Sequence, residues 1–224
     1  SQFLKAESVK ISPFDHGFLY GDGVYETMRT YRGKPWQLPL HLKRLENSLQ
    51  VAQIRLPWSM KKVEHMILEL IAKTNYPESR IRLMVTRGVS TTKGAVFEPK
   101  SVDSPTLFIT CYRIPMWKPG SVATGSCVFF NVERSFPEVK TTSIFPLIMA
   151  RLYADSKKAA DALLLDSRGY VHEGAVSNVF IVKKGKLVTA DSNILKGTMR
   201  DFVLKLAKKI CKIEFRPIRR AEFF

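Results

Sequence analysis

DALLLDSRGYVHEGAVSNVFIVKKGKLVTADSNILKGTMRDFVLKLA (161–207) decides the fold. DALLLD is a β-rich run closed by Ser167-Arg168-Gly169. The segment from Tyr170 to Ala190 then reads as strand, turn, strand. Residues 198–211 change period: Phe202, Val203, Leu206, Ala207 and Ile210 recur at helical spacing. Working back, 143–159 reads as a helix, with Pro146 tolerated in its first turn, and CVFFNVE before it as a strand. RIPMWKPGS (113–121) carries two prolines and a glycine and marks a linker. The chain divides into an N-terminal block over 1–114, a linker over 115–122 and a C-terminal block over 123–224.

The N-terminal block has the same mixed character. FLYGDGVYETMRTYR (18–32) opens on a glycine turn and continues as a strand, and Gly33-Lys34 reads as a hairpin turn. Residues 40–52 form a helix with Leu42, Leu45 and Leu49 on one face. A second helix spans 60–73 through Val63, Met66, Ile67, Leu70 and Ile71. IRLMVT (81–86) and TLFITCY (106–112) are β-rich, and 87–105 between them is a polar loop. Strands and helices interleaved in two blocks predict an α/β or α+β fold.

Composition narrows the functional classes. Hydrophobic residues make up 45% and charged residues 25% of 224, enough for a sizeable core in a globular protein. No apolar run approaches membrane-spanning length, and the N-terminus lacks the apolar core of a signal peptide. Cys111, Cys127 and Cys211 are far apart and form no CxxC pair, which predicts reduced thiols in a cytoplasmic protein and no metal site. The net charge of +16, from 36 basic and 20 acidic residues, is concentrated toward the C-terminal end in Lys205, Lys208, Lys209, Lys212, Arg216, Arg219 and Arg220. No zinc-finger, RNP or helix-turn-helix pattern accompanies it, so it reads as a solvated basic face and not as a nucleic-acid surface.

Four features could carry chemistry. Lys140 follows a strand and precedes a helix, among Val139, Ile144 and Phe145; an amine in an apolar setting can condense with an aldehyde. Glu173 is flanked by apolar strand residues, and a buried carboxylate needs a partner such as a protonated ring nitrogen. Arg44 lies on a helix and offers the paired donors that phosphate favours. ILKGTMR (194–200) opens a helix whose backbone N–H groups at Gly197, Thr198 and Met199 would face an anion, with Thr198 as the candidate N-cap. Taken singly, these are more simply read as a surface lysine, a strand-end carboxylate, a salt-bridged arginine and an ordinary capped helix. Together they are what a phosphate-bearing aldehyde cofactor requires.

The order of the motifs resembles the class IV aminotransferases, the fold-type IV pyridoxal-phosphate enzymes. That group includes branched-chain and D-amino-acid aminotransferases and aminodeoxychorismate lyase. The stretches that carry the resemblance are DHGFLYGDGVYETMRTYRGK (15–34), HLKRLENS (41–48), RIRLMVTRG (80–88), EVKTTSIFPLIMARLYA (138–154) and residues 161–207, together most of the chain. The resemblance implies two α/β domains, the N-terminal one smaller, with pyridoxal 5′-phosphate between them, usually in a homodimer. Lys140 would be the Schiff-base lysine and proton shuttle, and Glu173 the partner of the pyridine nitrogen. Arg44 would hold the phosphate with the backbone around Gly197, Thr198 and Met199. Leu195 would lie against the ring, and Tyr25 and Arg82 would bind the substrate carboxylate.

Some positions depart from the family pattern. The threonine of Thr198-Met199-Arg200 is displaced by one residue. Phe145 stands where branched-chain enzymes place a tyrosine, and Tyr25 where a phenylalanine is common, a lean toward D-amino-acid-like members. The resemblance also implies a C-terminal strand and threonine-rich loop, and a short N-terminal strand, outside these residues. The expected activity is ping-pong amino transfer between an amino acid and a 2-oxo acid. The alternatives are a lyase that releases pyruvate, suggested by Met199, and a basic nucleic-acid-binding module without catalysis.

Overall fold

The computed structural model describes residues 2–91, 97–102, 104–116, 118, 120 and 123–224. The chain forms two units: Ser1–Gly120 with Val139–Ser143, and Ser121–Glu138 with Ile144–Phe224. Part of the linker expected over 115–122, and part of the loop over 87–105, lie outside the described residues.

In the first unit, β1 (Gly23–Tyr31), β2 (Lys34–Pro35), β3 (Ser79–Thr86) and β4 (Thr106–Arg113) form an antiparallel sheet in the order β2-β1-β3-β4. The helices are α1 (His16–Tyr20), α2 (Leu38–Val51) and α3 (Met60–Thr74). Alternation along each strand splits the sheet into two faces. Val24 and Met28 of β1, and Ile81, Leu83 and Val85 of β3, are buried with Leu42, Leu45 and Leu49 of α2 and Val63, Ile67 and Ile71 of α3. Burying each such side chain contributes about 1.5–3 kcal/mol. The other face carries Tyr25, Thr27 and Arg29 of β1 and Arg82 and Met84 of β3, half-buried, with Thr27 opposite Arg82 and Tyr25 opposite Met84.

Two details differ from the sequence reading. The hairpin turn is Arg32-Gly33, one residue earlier than expected, because Lys34 already pairs with Tyr31. Both turn residues have positive φ (50° and 75°), which suits the twist of a two-residue hairpin. Val139–Ser143, which the sequence division assigns to the second block, groups with the first unit. The cause is backbone pairing: Thr141 bridges Val24, Tyr25 N donates to the Lys140 carbonyl at 2.9 Å, and Thr142 N donates to the Gly23 carbonyl at 2.9 Å.

In the second unit, β5 (Cys127–Asn131), β6 (Asp161–Leu165), β7 (Tyr170–Gly174) and β11 (Ile218–Arg219) form one sheet in the order β11-β7-β6-β5. A smaller sheet runs β10-β9-β8, from β8 (Ile181–Lys183), β9 (Lys186–Thr189) and β10 (Ile213–Phe215). Strands β9 and β10 are parallel, with α5 (Thr198–Ala207) between them in the chain, as a parallel pair requires. α4 (Phe145–Ser156) buries Leu147, Ala150 and Ala154 against Ala162 and Leu164 of β6. Pro146 falls in its first turn, where its missing N–H costs nothing. α5 ends four residues earlier than the periodicity predicts, and Ile210 beyond it is 84% exposed.

Among the described residues no helix is long and apolar enough to cross a membrane, and no group of three or more His, Cys, Asp or Glu is arranged to hold a metal ion.

Candidate active site

Four of the predicted residues gather in the first unit. Tyr25 stands on the half-buried face of β1, and two cations approach its ring: the Arg82 guanidinium at 4.2 Å and Lys140 Nζ at 4.5 Å from the centroid. Such contacts stabilise a cation through the ring quadrupole without neutralising it. Arg82 Nε donates to Met84 Sδ at 3.4 Å, and among the described residues no carboxylate pairs with Arg82. A partly buried guanidinium in that state is suited to an anion brought by a ligand. The Lys140 backbone is fixed at both ends: its carbonyl accepts from Tyr25, and its N–H donates to Ser48 Oγ on α2 at 3.3 Å.

Arg44, on α2, is held beneath this face by Glu26, which is 1% exposed. Arg44 Nε and Nη2 donate to the two Glu26 oxygens at 2.7 and 2.8 Å, and His41 Nδ1 lies 2.7 Å from Oε2. Burial alone would raise the Glu26 carboxyl. The hydrogen bonds and charge of Arg44 and His41 outweigh it and hold the group below the usual carboxylate range. The guanidinium is thereby locked against Glu26. Glu26 and His41 were missed as site residues, although both lie in quoted motifs. The signal was there in the alternation, which turns Glu26 to the same face as Val24 and Met28, where a carboxylate needs partners.

The remaining predicted residues gather in the second unit. Glu173, on β7, is 3% exposed. Its Oε1 accepts from Arg134 Nε, and its Oε2 accepts from the Leu195 N–H at 3.0 Å. The Leu195 carbonyl accepts from Asn178 Nδ2 at 2.8 Å. Gly197, and not Thr198, is the N-cap of α5, and Thr198 is the first helical residue. The reason is the backbone: Gly197 is extended (φ −74°, ψ 141°) and helical geometry begins at Thr198, while a Cβ at position 197 would fall 2.3 Å from Asn178 Oδ1, which favours glycine there. The Gly197 cap contributes no side chain, so the first-turn N–H groups, Thr198 and Met199 among them, meet the positive end of the helix dipole without a side-chain cap from Gly197. Arg134, Asn178 and Arg200 were not anticipated as site residues. Arg200 is 4% exposed and donates to the Ala190 carbonyl at 2.8 Å, so it braces the segment that leads into Leu195.

Each unit offers its own donors: the first an amine and guanidinium groups suited to an aldehyde and to anions, the second a buried carboxylate suited to a ring nitrogen and a glycine-capped helix start suited to an anion. Residues 23–224 match the family model described as amino-transferase class IV. A protein of Methanocaldococcus jannaschii, provisionally named a branched-chain-amino-acid aminotransferase, is 37% identical over 215 residues, 93% of this chain and 73% of its own length. The aminodeoxychorismate lyase of Bacillus subtilis is 31% identical over 225 residues, 93% of this chain and 72% of its own. The solved T.th. branched-chain amino acid aminotransferase, crystallised with pyridoxamine 5′-phosphate, superposes with a TM-score of 0.88 at 25% identity, over 98% of this chain and 76% of that one. The chain belongs to the class IV aminotransferases. These enzymes use pyridoxal 5′-phosphate, and the fold is that of fold-type IV enzymes.

Proposed function

We propose that the chain transfers the amino group of a branched-chain amino acid to a 2-oxo acid, with Lys140 as the residue that holds the cofactor and moves the proton. The observation that carries the role of Lys140 is its pairing with Arg82 over one tyrosine ring, 4.5 and 4.2 Å from its centroid, and the likeness to the Methanocaldococcus protein supports the branched-chain donor. That pairing sets an amine beside a guanidinium that has no carboxylate among the described residues. Pyridoxal phosphate, when bound, supplies an aldehyde that condenses with amines and a ring that draws electrons from the substrate α-carbon. Arg82 and Tyr25 receive the substrate carboxylate and so present the α-hydrogen to Lys140. Lys140 Nζ takes that proton as general base and returns it one position along. Arg44 and the first turn of α5, at Gly197, Thr198 and Met199, would hold the phosphate. Glu173 would be the partner of the ring nitrogen, and Leu195 would contact the ring.

The test is the near-visible absorption of the purified protein, before and after separate additions of L-branched-chain and D-amino acids. The expected result is a yellow band that bleaches with the branched-chain donors, and a Lys140→Ala variant that binds cofactor without that response. A protein that stays colourless after incubation with pyridoxal phosphate sinks the reading. A second reading rests on the likeness to the Bacillus lyase. It predicts pyruvate released from aminodeoxychorismate with no oxo-acid acceptor present, whereas the first predicts none. We infer as well that the chain is a cytoplasmic homodimer whose partners are small amino and oxo acids, not nucleic acid or membrane.

A further inference from the structure

Glu173 is 3% exposed, and its carboxylate is held by two different parts of the second unit. Arg134, in the segment after β5, donates through Nε to Oε1, and Leu195 N donates to Oε2 at 3.0 Å. The Arg134 side chain is itself only 12% exposed. Among the described residues it is the one cation paired with Glu173. A carboxylate has about four lone-pair positions on its two oxygens. Arg134 and Leu195 use one on each oxygen, so one on each stays open to a further donor.

A buried ion pair contributes little net stability, because desolvation offsets most of the attraction. What it does fix is charge and direction. Without Arg134, Glu173 would be an uncompensated buried anion, free to rotate about the single Leu195 bond. We propose that Arg134 is a positioning residue for Glu173, holding its carboxylate oriented so that the open lone pairs face the ring nitrogen of the cofactor. The proposal rests on the reading of Glu173 as the partner of that nitrogen. The Asn178 bond to the Leu195 carbonyl, at 2.8 Å, completes the frame by fixing the peptide that holds the other oxygen.

The test compares two ligands on the apo-protein by equilibrium dialysis: pyridoxal phosphate, and its 1-deaza analogue, in which the ring nitrogen is replaced by carbon. A hydrogen bond to a charged group makes wild type prefer pyridoxal phosphate by about tenfold to a hundredfold. In Arg134→Gln that preference falls to about threefold or less, while affinity for the deaza analogue is unchanged. Arg134→Lys keeps the charge but not the Nε geometry, and gives an intermediate preference. Should Arg134→Gln fail to fold, Arg134→Lys carries the test, and a wild-type preference there overturns the positioning role. Equal weakening of both ligands in Arg134→Gln marks a merely structural residue and also overturns it. If wild type itself shows no preference, and Glu173→Gln behaves the same way, the reading of Glu173 has failed, and the proposal fails with it.

Discussion

The two units hold their functional residues by different means. The first uses charge for Arg44: Glu26, 1% exposed, clamps Arg44 and His41. The second adds backbone to charge. Beside its pair with Arg134, Glu173 is fixed by a peptide N–H, that peptide is fixed in turn by Asn178, and the start of α5 depends on a glycine that makes room for Asn178. A charge clamp is strong but leaves its members exposed to the loss of any one of them. A backbone frame spreads the constraint over many modest bonds and fails by crowding.

The largest expected effect tests the first half of this contrast. Glu26→Ala leaves Arg44 and His41 facing a buried space with no anion. Breaking a buried pair this way costs about 3–5 kcal/mol, read as a lower urea midpoint. Phosphate affinity of the apo-protein falls with it, because Arg44 loses its orientation. Wild-type stability in Glu26→Ala would mean that α2 packing, through Leu42, Leu45 and Leu49, positions Arg44 without help.

Next comes the second half. Gly197 has φ −74° and ψ 141°, a conformation open to any residue, so Gly197→Ala carries no backbone strain. Its whole cost is the contact of the new Cβ with Asn178 Oδ1, 2.3 Å away in the unrelaxed geometry. Overpacking of this kind costs about 1–3 kcal/mol. A double-mutant cycle with Asn178→Ala sharpens the point: the crowding vanishes in the double variant, leaving the loss of the Leu195 carbonyl bond. Strict additivity in that cycle would break the idea of a crowded frame.

The sequence showed the frame of this protein more clearly than its fastening. The helices α2 and α3 and the strands β3 and β4 follow from apolar spacing, because each has one continuous face to bury. Lys140, Glu173 and Arg44 were singled out because motif order constrains them together. Glu26 was not singled out, since a glutamate on a strand becomes informative only when its face is known to be the inner one. Arg134 carries no local signal at all: it sits 39 residues from Glu173, and only the folding of the second unit brings the two together. The N-cap of α5 was misplaced by one residue because Thr198 has the better capping side chain. The backbone stays extended at Gly197 and Thr198 enters the helix, which that preference does not reveal.

The smallest effect separates the two units by acid. Asp166 anchors the turn between β6 and β7, accepting from the N–H groups of Arg168 at 3.0 Å and Tyr170 at 2.8 Å. Burial works to raise its carboxyl. The Tyr170 N–H, the His172 ring and the Arg168 guanidinium and N–H outweigh burial and bring it down to about 2, from an ordinary value of 3.8. A carboxyl depressed on folding stabilises the native state above its unfolded value, and that stabilisation drains away as pH falls from about 4 toward 2. It is worth no more than about 2 kcal/mol once the screening of Arg168, whose side chain is 68% exposed, is allowed for. Asp166→Asn therefore flattens the acid limb of stability in the second unit. Trp36 and Trp58 lie in the first unit, so in a Trp117→Phe background tryptophan fluorescence reports that unit, where Glu26 is depressed as well. An acid transition in tryptophan fluorescence unaffected by Asp166→Asn, together with a shifted one by circular dichroism, shows two units fastened and unfastened separately. If the substitution moves both transitions together, the units unfold as one cooperative block, and the contrast between charge clamp and backbone frame stops at their local geometry.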